Sequence, residues 1–188
     1  MGAPLGAGTP LGDEVRAACE ALVAEARAAG LTVGSAESCT GGLVAGALTG
    51  VSGSSAVVRG AVVSYAIAVK REVLGVSAAV LDDPALGAVS GECACQMAEG
   101  ARRVLGCDLA VSVTGIAGPG GAEPGKPVGT VWLGLATPRG TRAELRCFQG
   151  DREEVRAQAV ARAVGLLREG VVETCGAPAQ GCDEALRS

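Results

Sequence analysis

The segment TVGSAESCTGGL, residues 32–43, combines the end of a short strand, a turn of small polar residues and the start of an apolar helix that ends near Gly50. Backbone N–H groups at such a turn point outward and, together with the helix dipole, favour an anion or a developing oxyanion. The two glycines let a ligand approach the backbone closely. The segment therefore predicts a βα unit with a candidate site at its turn.

Three longer helices are predicted outside this unit, because apolar residues recur there at helical spacing. They cover residues 13–29, 90–106 and 151–170. Ser90 is a favourable N-cap for the second of them, and Asp151 with Glu154 forms an acidic capping box for the third.

Five short apolar or β-branched runs, bounded by Gly or Pro, are the predicted strands: residues 31–35, 57–65, 109–114, 128–136 and 142–148. The alternation of strands and helices predicts an α/β fold, a three-layer α/β/α single domain with a mostly parallel, mixed sheet. The last two strands are expected to pair antiparallel across a Pro-Arg-Gly turn. This domain is expected to span residues 12–170, between flexible tails at 1–11 and 171–188.

The chain of 188 residues contains no histidine, which restricts the chemistry that it can perform. This absence excludes the Ser-His-Asp triad, the Cys-His pair and every His-ligated zinc site. The net charge is −4, whereas a typical nucleic-acid-binding protein carries an excess of positive charge. No nucleic-acid partner is therefore expected.

The eight cysteines do not indicate a secreted, disulfide-bonded chain. The first residues have no signal-peptide pattern, and no uncharged apolar run approaches the length of a membrane span, so we expect a cytoplasmic protein without a membrane partner. Its cysteines are then expected to pack mostly as small hydrophobes. Cys93 and Cys95 would point to opposite faces of a helix, and no metal or cofactor is expected.

Ser38 is the candidate nucleophile of the first segment, and its position leaves three roles open. Its hydroxyl can cap the following helix, attack a carbonyl held over the turn amides, or belong to a passive phosphate cradle. Cys39 is a rival nucleophile, because a helix N-terminus lowers the pKa of a thiol.

Lys70 is the candidate base for Ser38. Of the sixteen Lys and Arg residues only Lys70 and Lys126 are lysine, and only a lysine can become a base when it is desolvated. Tyr65 would end its strand and Lys70 would follow on the connecting turn, so both are expected at the sheet edge that holds Ser38. The alternative for Lys70 is a solvated residue that begins a short helix over 70–74.

Two further features suggest a binding site. The loop VTGIAGPGG, residues 113–121, follows a strand and is expected at the carboxyl edge of the sheet, where its glycines can bring amides to a phosphate. Arg152, in the first turn of the third helix, can clamp a phosphate with charge-assisted hydrogen bonds. A surface loop and a solvated arginine are the alternatives.

Together these motifs resemble the CinA C-terminal-domain family of nicotinamide-nucleotide amidohydrolases. The resemblance extends over about residues 13–169 and rests on AESCTGG (36–42), GAVVSYAIAVK (60–70), GAVS (87–90), MAEGARR (97–103), VTGIAGPGG (113–121), KPVGTV (126–131) and GDREEVR (150–156). It implies hydrolysis of the carboxamide of nicotinamide mononucleotide to nicotinic acid mononucleotide and ammonia, without a cofactor. It also implies a homo-oligomer, a dimer or larger.

The resemblance implies roles for individual residues. Ser38 is implied as the nucleophile, and Lys70 and Tyr65 are implied to transfer protons. The backbone amides of Thr40, Gly41 and Gly42 are implied to bind the oxyanion. The residues implied on the nucleotide side are Arg152 at the phosphate and Thr114, Gly115 and Gly118 along the pocket.

The segment between Tyr65 and Lys70 departs from the family pattern Y-[ST]-N-E-x-K. Its polar middle is replaced here by Ala66, Ile67 and Ala68. This departure opens an alternative function, a non-catalytic pyridine-nucleotide-binding module. Because the resemblance does not include the larger N-terminal domain of some family members, the expected enzyme is a stand-alone deamidase.

Overall fold

Five strands form one mixed sheet in the computed structural model of the chain, which describes residues 11–176. The strands are β1 Val33–Glu37, β2 Val58–Val63, β3 Leu109–Gly115, β4 Thr130–Thr137 and β5 Gly140–Cys147. Their order across the sheet is β2-β1-β3-β4-β5. β1 is parallel to β2 and β3, whereas β4 is antiparallel to β3 and β5, which confirms the predicted mixed sheet and antiparallel pair.

Helices cover both faces of this sheet, as the predicted three-layer architecture requires. They are α1 Gly12–Ala28, α2 Leu43–Thr49, α3 Ile67–Glu72, α4 Ala78–Leu81, α5 Gly91–Leu105 and α6 Arg152–Cys175, with a 3₁₀ turn at Ser54–Ala56. α1, α2 and α6 share one apolar core with the sheet, and the segment from α3 to α5 shares a second core with its other face. Burial of both faces explains why β3 is buried along almost its whole length.

The helix starts follow the predicted capping. The Ser90 hydroxyl accepts a hydrogen bond from the amide of Cys93, and Asp151 and Glu154 form a complete capping box at the start of α6. Within residues 11–176 no helix is both long enough and apolar enough to cross a bilayer.

The end of α6 differs from the prediction. The helix continues past Gly170 to Cys175, and Val171 is buried, so the expected helix end and the start of the expected tail at 171 are wrong. Gly170 has a packing role, because a Cβ on it would lie 3.3 Å from the methyl carbons of Leu135 in the sheet. The other residues of the two expected tails, 1–10 and 177–188, lie outside the described residues.

The end of β2 also differs from the prediction. The strand ends at Val63; the amide of Ser64 still donates to the carbonyl of Glu37 on β1, and α3 begins at Ile67. Lys70 therefore lies on a helix instead of a turn. The helical register is what allows its side chain to point back under the end of β1.

Candidate active site

Ser38 follows β1 at the carboxyl edge of the sheet. Its amide donates to the carbonyl of Val113 on β3, 2.8 Å away, which fixes the backbone of the turn. α2 begins only at Leu43, with Gly42 as its N-cap, so the interpretation of Ser38 as a helix cap is wrong. The Ser38 side chain is only partly buried and remains available for chemistry.

Lys70 reaches Ser38 from α3. Its amine donates to the Ser38 hydroxyl oxygen at 2.8 Å and to the carbonyl oxygen of Ser64 at 2.5 Å. The side chain is only 1% exposed, so the alternative of a solvated lysine is wrong. Within residues 11–176 no carboxylate pairs with this amine, and burial lowers the pKa of Lys70 below its ordinary value. The structure thus brings the predicted nucleophile and base into direct contact.

Glu37, the last residue of β1, is a part of the site that sequence reasoning missed. Its fully buried carboxylate accepts hydrogen bonds from the amides of Gly42, Val44 and Ala45 at 2.9–3.1 Å. The hydroxyl of Ser35 donates to the same carboxylate at 3.2 Å. The group bound by the amides at the start of α2 is therefore the Glu37 carboxylate and not a ligand. An acidic residue that ends a buried strand just before a helix start was the available signal.

The expected oxyanion site over residues 40–42 is consequently smaller than predicted. The amide of Gly42 is bonded to Glu37, and the amide of Gly41 donates to the carbonyl of Ser38 at 3.1 Å. Both glycines have positive φ, which explains why this turn needs two of them. Of the three expected donors, Thr40 alone has an amide without a hydrogen-bond partner among the described residues.

Cys39 lies beside Ser38 and Lys70, but its thiol is not activated as a nucleophile. It is buried, and burial raises the pKa of its thiol to about 11, even though Lys70, Arg152 and Arg156 are close enough to oppose that shift. The thiol therefore stays protonated at neutral pH, and protonated thiols are poor nucleophiles.

Arg152 and Tyr65 meet on the open side of the site. The Arg152 guanidinium donates to the carbonyl of Gly118 at 2.7 Å and lies 3.5 Å from the hydroxyl of Tyr65, a residue that is 65% exposed. Among the described residues the Tyr65 hydroxyl makes no hydrogen bond to Lys70 or Ser38. The structure therefore places Tyr65 with the expected phosphate-binding arginine and not, as expected, with the base.

Two clefts border Arg152. The larger, of about 560 Å³, lies between α6 and the loop that contains Ala117 and Pro119. The smaller, of about 310 Å³, is lined by Leu43 of α2 and by Arg152 and Arg156 of α6. Gly118 lies in the loop beside the larger cleft with a positive φ, and its carbonyl accepts the hydrogen bond from Arg152.

Thr114 and Gly115 do not present polar groups to these clefts. The Thr114 side chain is buried and its hydroxyl donates to the carbonyl of Ala88 at 2.6 Å. Gly115 is paired with Val131 of β4, and a Cβ on it would lie 2.5 Å from the carbonyl oxygen of Thr130. Both residues, expected along the pocket, instead fix the loops that surround it.

Arg156 is a second contact that sequence reasoning missed. It lies one helical turn after Arg152, and its guanidinium donates to the carbonyl of Thr40 at 2.9 Å. It therefore ties the Ser38 turn to α6, and its four-residue spacing from Arg152 was the available signal. Within residues 11–176 no cluster of three or more Cys, Asp or Glu side chains is arranged to hold a metal ion.

Comparison with known sequences identifies relatives over most of this domain. The family model of the CinA C-terminal domain matches residues 16–171. A CinA-like protein of Anaeromyxobacter dehalogenans is 54% identical over 147 residues, which are 78% of this chain and 36% of the relative. A CinA-like protein of Geobacter metallireducens is 48% identical over 142 residues, 76% of this chain and 34% of the relative. The chain thus spans about a third of the length of these curated relatives.

Solved structures share the fold. The competence/damage inducible protein CihA from Agrobacterium tumefaciens superposes with a TM-score of 0.82 at 40% identity, over 86% of this chain and 98% of that one. A competence-damaged protein (CinA) superfamily protein from Klebsiella pneumoniae gives 0.80 at 34% identity, over 85% of this chain and 98% of that one.

Proposed function

Because the chain belongs to the CinA C-terminal domain family, we propose that it hydrolyses the carboxamide of nicotinamide mononucleotide to nicotinic acid mononucleotide and ammonia. The observation that carries the proposal is the contact of Lys70 Nζ with Ser38 Oγ at 2.8 Å. A serine hydroxyl needs a base to become a nucleophile, and a buried lysine without a carboxylate partner can supply one.

The proposed reaction begins with neutral Lys70. Its amine accepts the Ser38 proton as Ser38 Oγ forms a bond to the carboxamide carbon. The tetrahedral intermediate then loses its C–N bond while the Lys70 ammonium protonates the departing nitrogen, which leaves as ammonia. A water molecule attacks the Ser38 ester and gives its proton to Lys70. Lys70 returns that proton to Ser38 as nicotinic acid mononucleotide leaves.

Developing negative charge on the carbonyl oxygen needs donors beside Ser38. Of the expected donors, the amide of Thr40 is unoccupied among the described residues and lies in the same turn, although Thr40 itself is buried. The guanidinium charges of Arg152 and Arg156 close to Cys39 make the surroundings favourable for an anionic substrate.

Arg152 is the proposed phosphate ligand. Its guanidinium borders both clefts, and its contacts with Gly118 and Tyr65 hold it at the rim of the site. A planar guanidinium suits a phosphomonoester, because it can donate two parallel hydrogen bonds. We therefore propose a mononucleotide as the substrate, with the pyridine ring toward Ser38.

The alternative, a non-catalytic nucleotide-binding module, was suggested by Ala66, Ile67 and Ala68. These three side chains are exposed, and Lys70 is held by Ser64 and Ser38 without them. Their change in chemistry therefore leaves the Ser38–Lys70 contact in place, which favours the enzyme over the module.

The proposal includes a homo-oligomer, which the family resemblance implies. Val63, the last residue of the edge strand β2, and Ile67, the first residue of α3, are both more than 40% exposed and are available for a contact between protomers. Light scattering of the purified chain measures the assembly directly; a monomer at all concentrations would contradict this part of the proposal.

Ammonia release from nicotinamide mononucleotide tests the function. We expect turnover by the wild type, no turnover by Ser38→Ala, and retained turnover by Cys39→Ala, the matched control one residue along the turn. Nicotinamide riboside and NAD serve as comparison substrates. Thermal stabilisation by the nucleotide without ammonia release would favour the binding module instead, and loss of activity only in Cys39→Ala would indicate a thiol enzyme.

A further inference from the structure

Glu37 is tied by its side chain to the turn that carries Ser38. Its Oε2 accepts from the amides of Gly42 and Val44, and its Oε1 accepts from the amide of Ala45 and the hydroxyl of Ser35. Ser35 lies in the middle of β1, Gly42 is the N-cap of α2, and Val44 and Ala45 lie in the first turn of α2. The Glu37 carboxylate thus links the two ends of the turn and fixes the direction in which the chain leaves β1.

Glu37 is tied by its backbone to the residues that hold Lys70. Its carbonyl accepts from the amide of Ser64 at 2.7 Å, and the carbonyl of Ser64 in turn accepts from the Lys70 amine at 2.5 Å. Glu37 therefore lies between Ser38 and Lys70. Its carboxylate contacts the turn that carries Ser38, and its carbonyl contacts Ser64, the residue that binds the Lys70 amine.

We propose that Glu37 is a positioning residue that sets the placement of Ser38 against Lys70. Only the expected changes in kcat and KM rest on the proposed function; the expected changes in Ser38 labelling and in the Lys70 pKa do not. The carboxylate takes no part in proton transfer, because it is fully buried and its oxygens are occupied by the turn. Glutamine has nearly the same shape, but its NH₂ group would face backbone N–H donors, so Glu37→Gln loosens the turn without emptying the space.

The test compares Glu37→Gln with wild type by three measurements. The first is the rate at which a fluorophosphonate labels Ser38. The second is the pKa of Lys70 from NMR of ¹³C-labelled lysine, which is assignable because the chain has only two lysines. The third is kcat and KM for nicotinamide mononucleotide. We expect labelling and kcat to fall about tenfold or more, with KM nearly unchanged, because small misplacements of reacting groups are costly. The Lys70 pKa should move toward its ordinary value.

Asp108→Asn is the matched control. Asp108 accepts from the amide and hydroxyl of Thr32 at 2.8 and 2.7 Å, so it anchors β1 in the same manner but at its other end. We expect Asp108→Asn to lower thermal stability while Ser38 labelling and the Lys70 pKa stay at wild-type values. A purely structural role of Glu37 would give the same pattern in Glu37→Gln.

A folded Glu37→Gln that labels and titrates like wild type overturns the proposal. If Glu37→Gln does not fold, Glu37→Asp, which keeps the charge on a shorter side chain, is measured in the same way. If neither variant folds, Glu37 determines the whole fold and the positioning proposal is likewise overturned. If wild-type Ser38 is labelled but no ammonia is released, the proposed function fails, while labelling and the Lys70 pKa still decide the role of Glu37.

Discussion

The amine of Lys70 lies 2.8 Å from the hydroxyl of Ser38, although 32 positions separate the two residues in the chain. Ser38 follows β1 and Lys70 lies on the helix after β2, so their contact depends on the parallel pairing of these two strands. In a chain without histidine, a buried lysine beside a serine can supply the base that the proposed hydrolysis requires.

Replacing Lys70 with arginine tests its role as the base. We expect Lys70→Arg to lower kcat/KM for nicotinamide mononucleotide by about 10²–10⁴-fold, because a guanidinium keeps the charge but cannot accept a proton. Lys126→Arg is the matched control, since the Lys126 amine donates to the carbonyl of Leu86 and has no contact with Ser38. Wild-type rates in a folded Lys70→Arg variant would remove Lys70 from the mechanism.

Burial of Lys70 also predicts how stability depends on pH. Its pKa in the folded state is lowered from its ordinary value of about 10.4. Between the two pKa values the unfolded chain holds a proton that the folded chain lacks, so the free energy of unfolding rises with pH there. Below the folded-state pKa both states are protonated, and the cost of burying the charge is present in full.

The comparison that isolates this effect is between the wild type and Lys70→Met. We expect the difference in their free energies of unfolding to shift in favour of the wild type as pH rises from the folded-state pKa to the unfolded one. The slope is at most about 1.4 kcal/mol per pH unit for one proton. Urea unfolding at a series of pH values measures it. A difference that does not change with pH would contradict the lowered pKa.

Tyr65→Phe distinguishes the two places where the Tyr65 hydroxyl can act. Because that hydroxyl lies 3.5 Å from the Arg152 guanidinium, we expect a higher KM for nicotinamide mononucleotide, by about two- to tenfold, with kcat nearly unchanged. Nicotinamide riboside, which lacks the phosphate, should be unaffected and serves as the control. A fall in kcat with both substrates would instead place Tyr65 with Lys70.

The layers could be predicted from the sequence because they depend on local patterns, and Ser38 and Lys70 could be singled out from the missing histidine and the family resemblance. Apolar periodicity, the Ser90 cap and the Asp151 capping box are local, and the absence of histidine reduced the candidate bases to two lysines. Residues whose role depends on backbone partners were missed. The donors to Glu37 are mainly amides, which every sequence contains, and the acceptor of Arg156 is the carbonyl of Thr40.

The errors have a related physical cause, since tertiary packing overrode a local signal. Gly170 was interpreted as a helix end, but it allows α6 to lie close to Leu135 of the sheet. The position of Tyr65 predicts only that it lies at the sheet edge of Ser38, and the resemblance implies proton transfer with Lys70, but its side chain extends outward toward Arg152. Spacing along the chain predicts which residues are near one another and leaves the direction of an exposed side chain open.

The apolar residues between Tyr65 and Lys70 provide the last test, because they distinguish an active enzyme from a binding module. The triple variant Ala66→Ser, Ile67→Asn and Ala68→Glu restores the polar pattern of the family. Lys70 is already held by the carbonyl of Ser64 and the hydroxyl of Ser38, so we expect kcat for ammonia release to remain close to that of the wild type. Steady-state kinetics measure this, with Ser38→Ala in the triple-variant background as the inactive control. Turnover that appears only in the triple variant would contradict the prediction, because the natural segment would then be what prevents chemistry at an otherwise assembled pair.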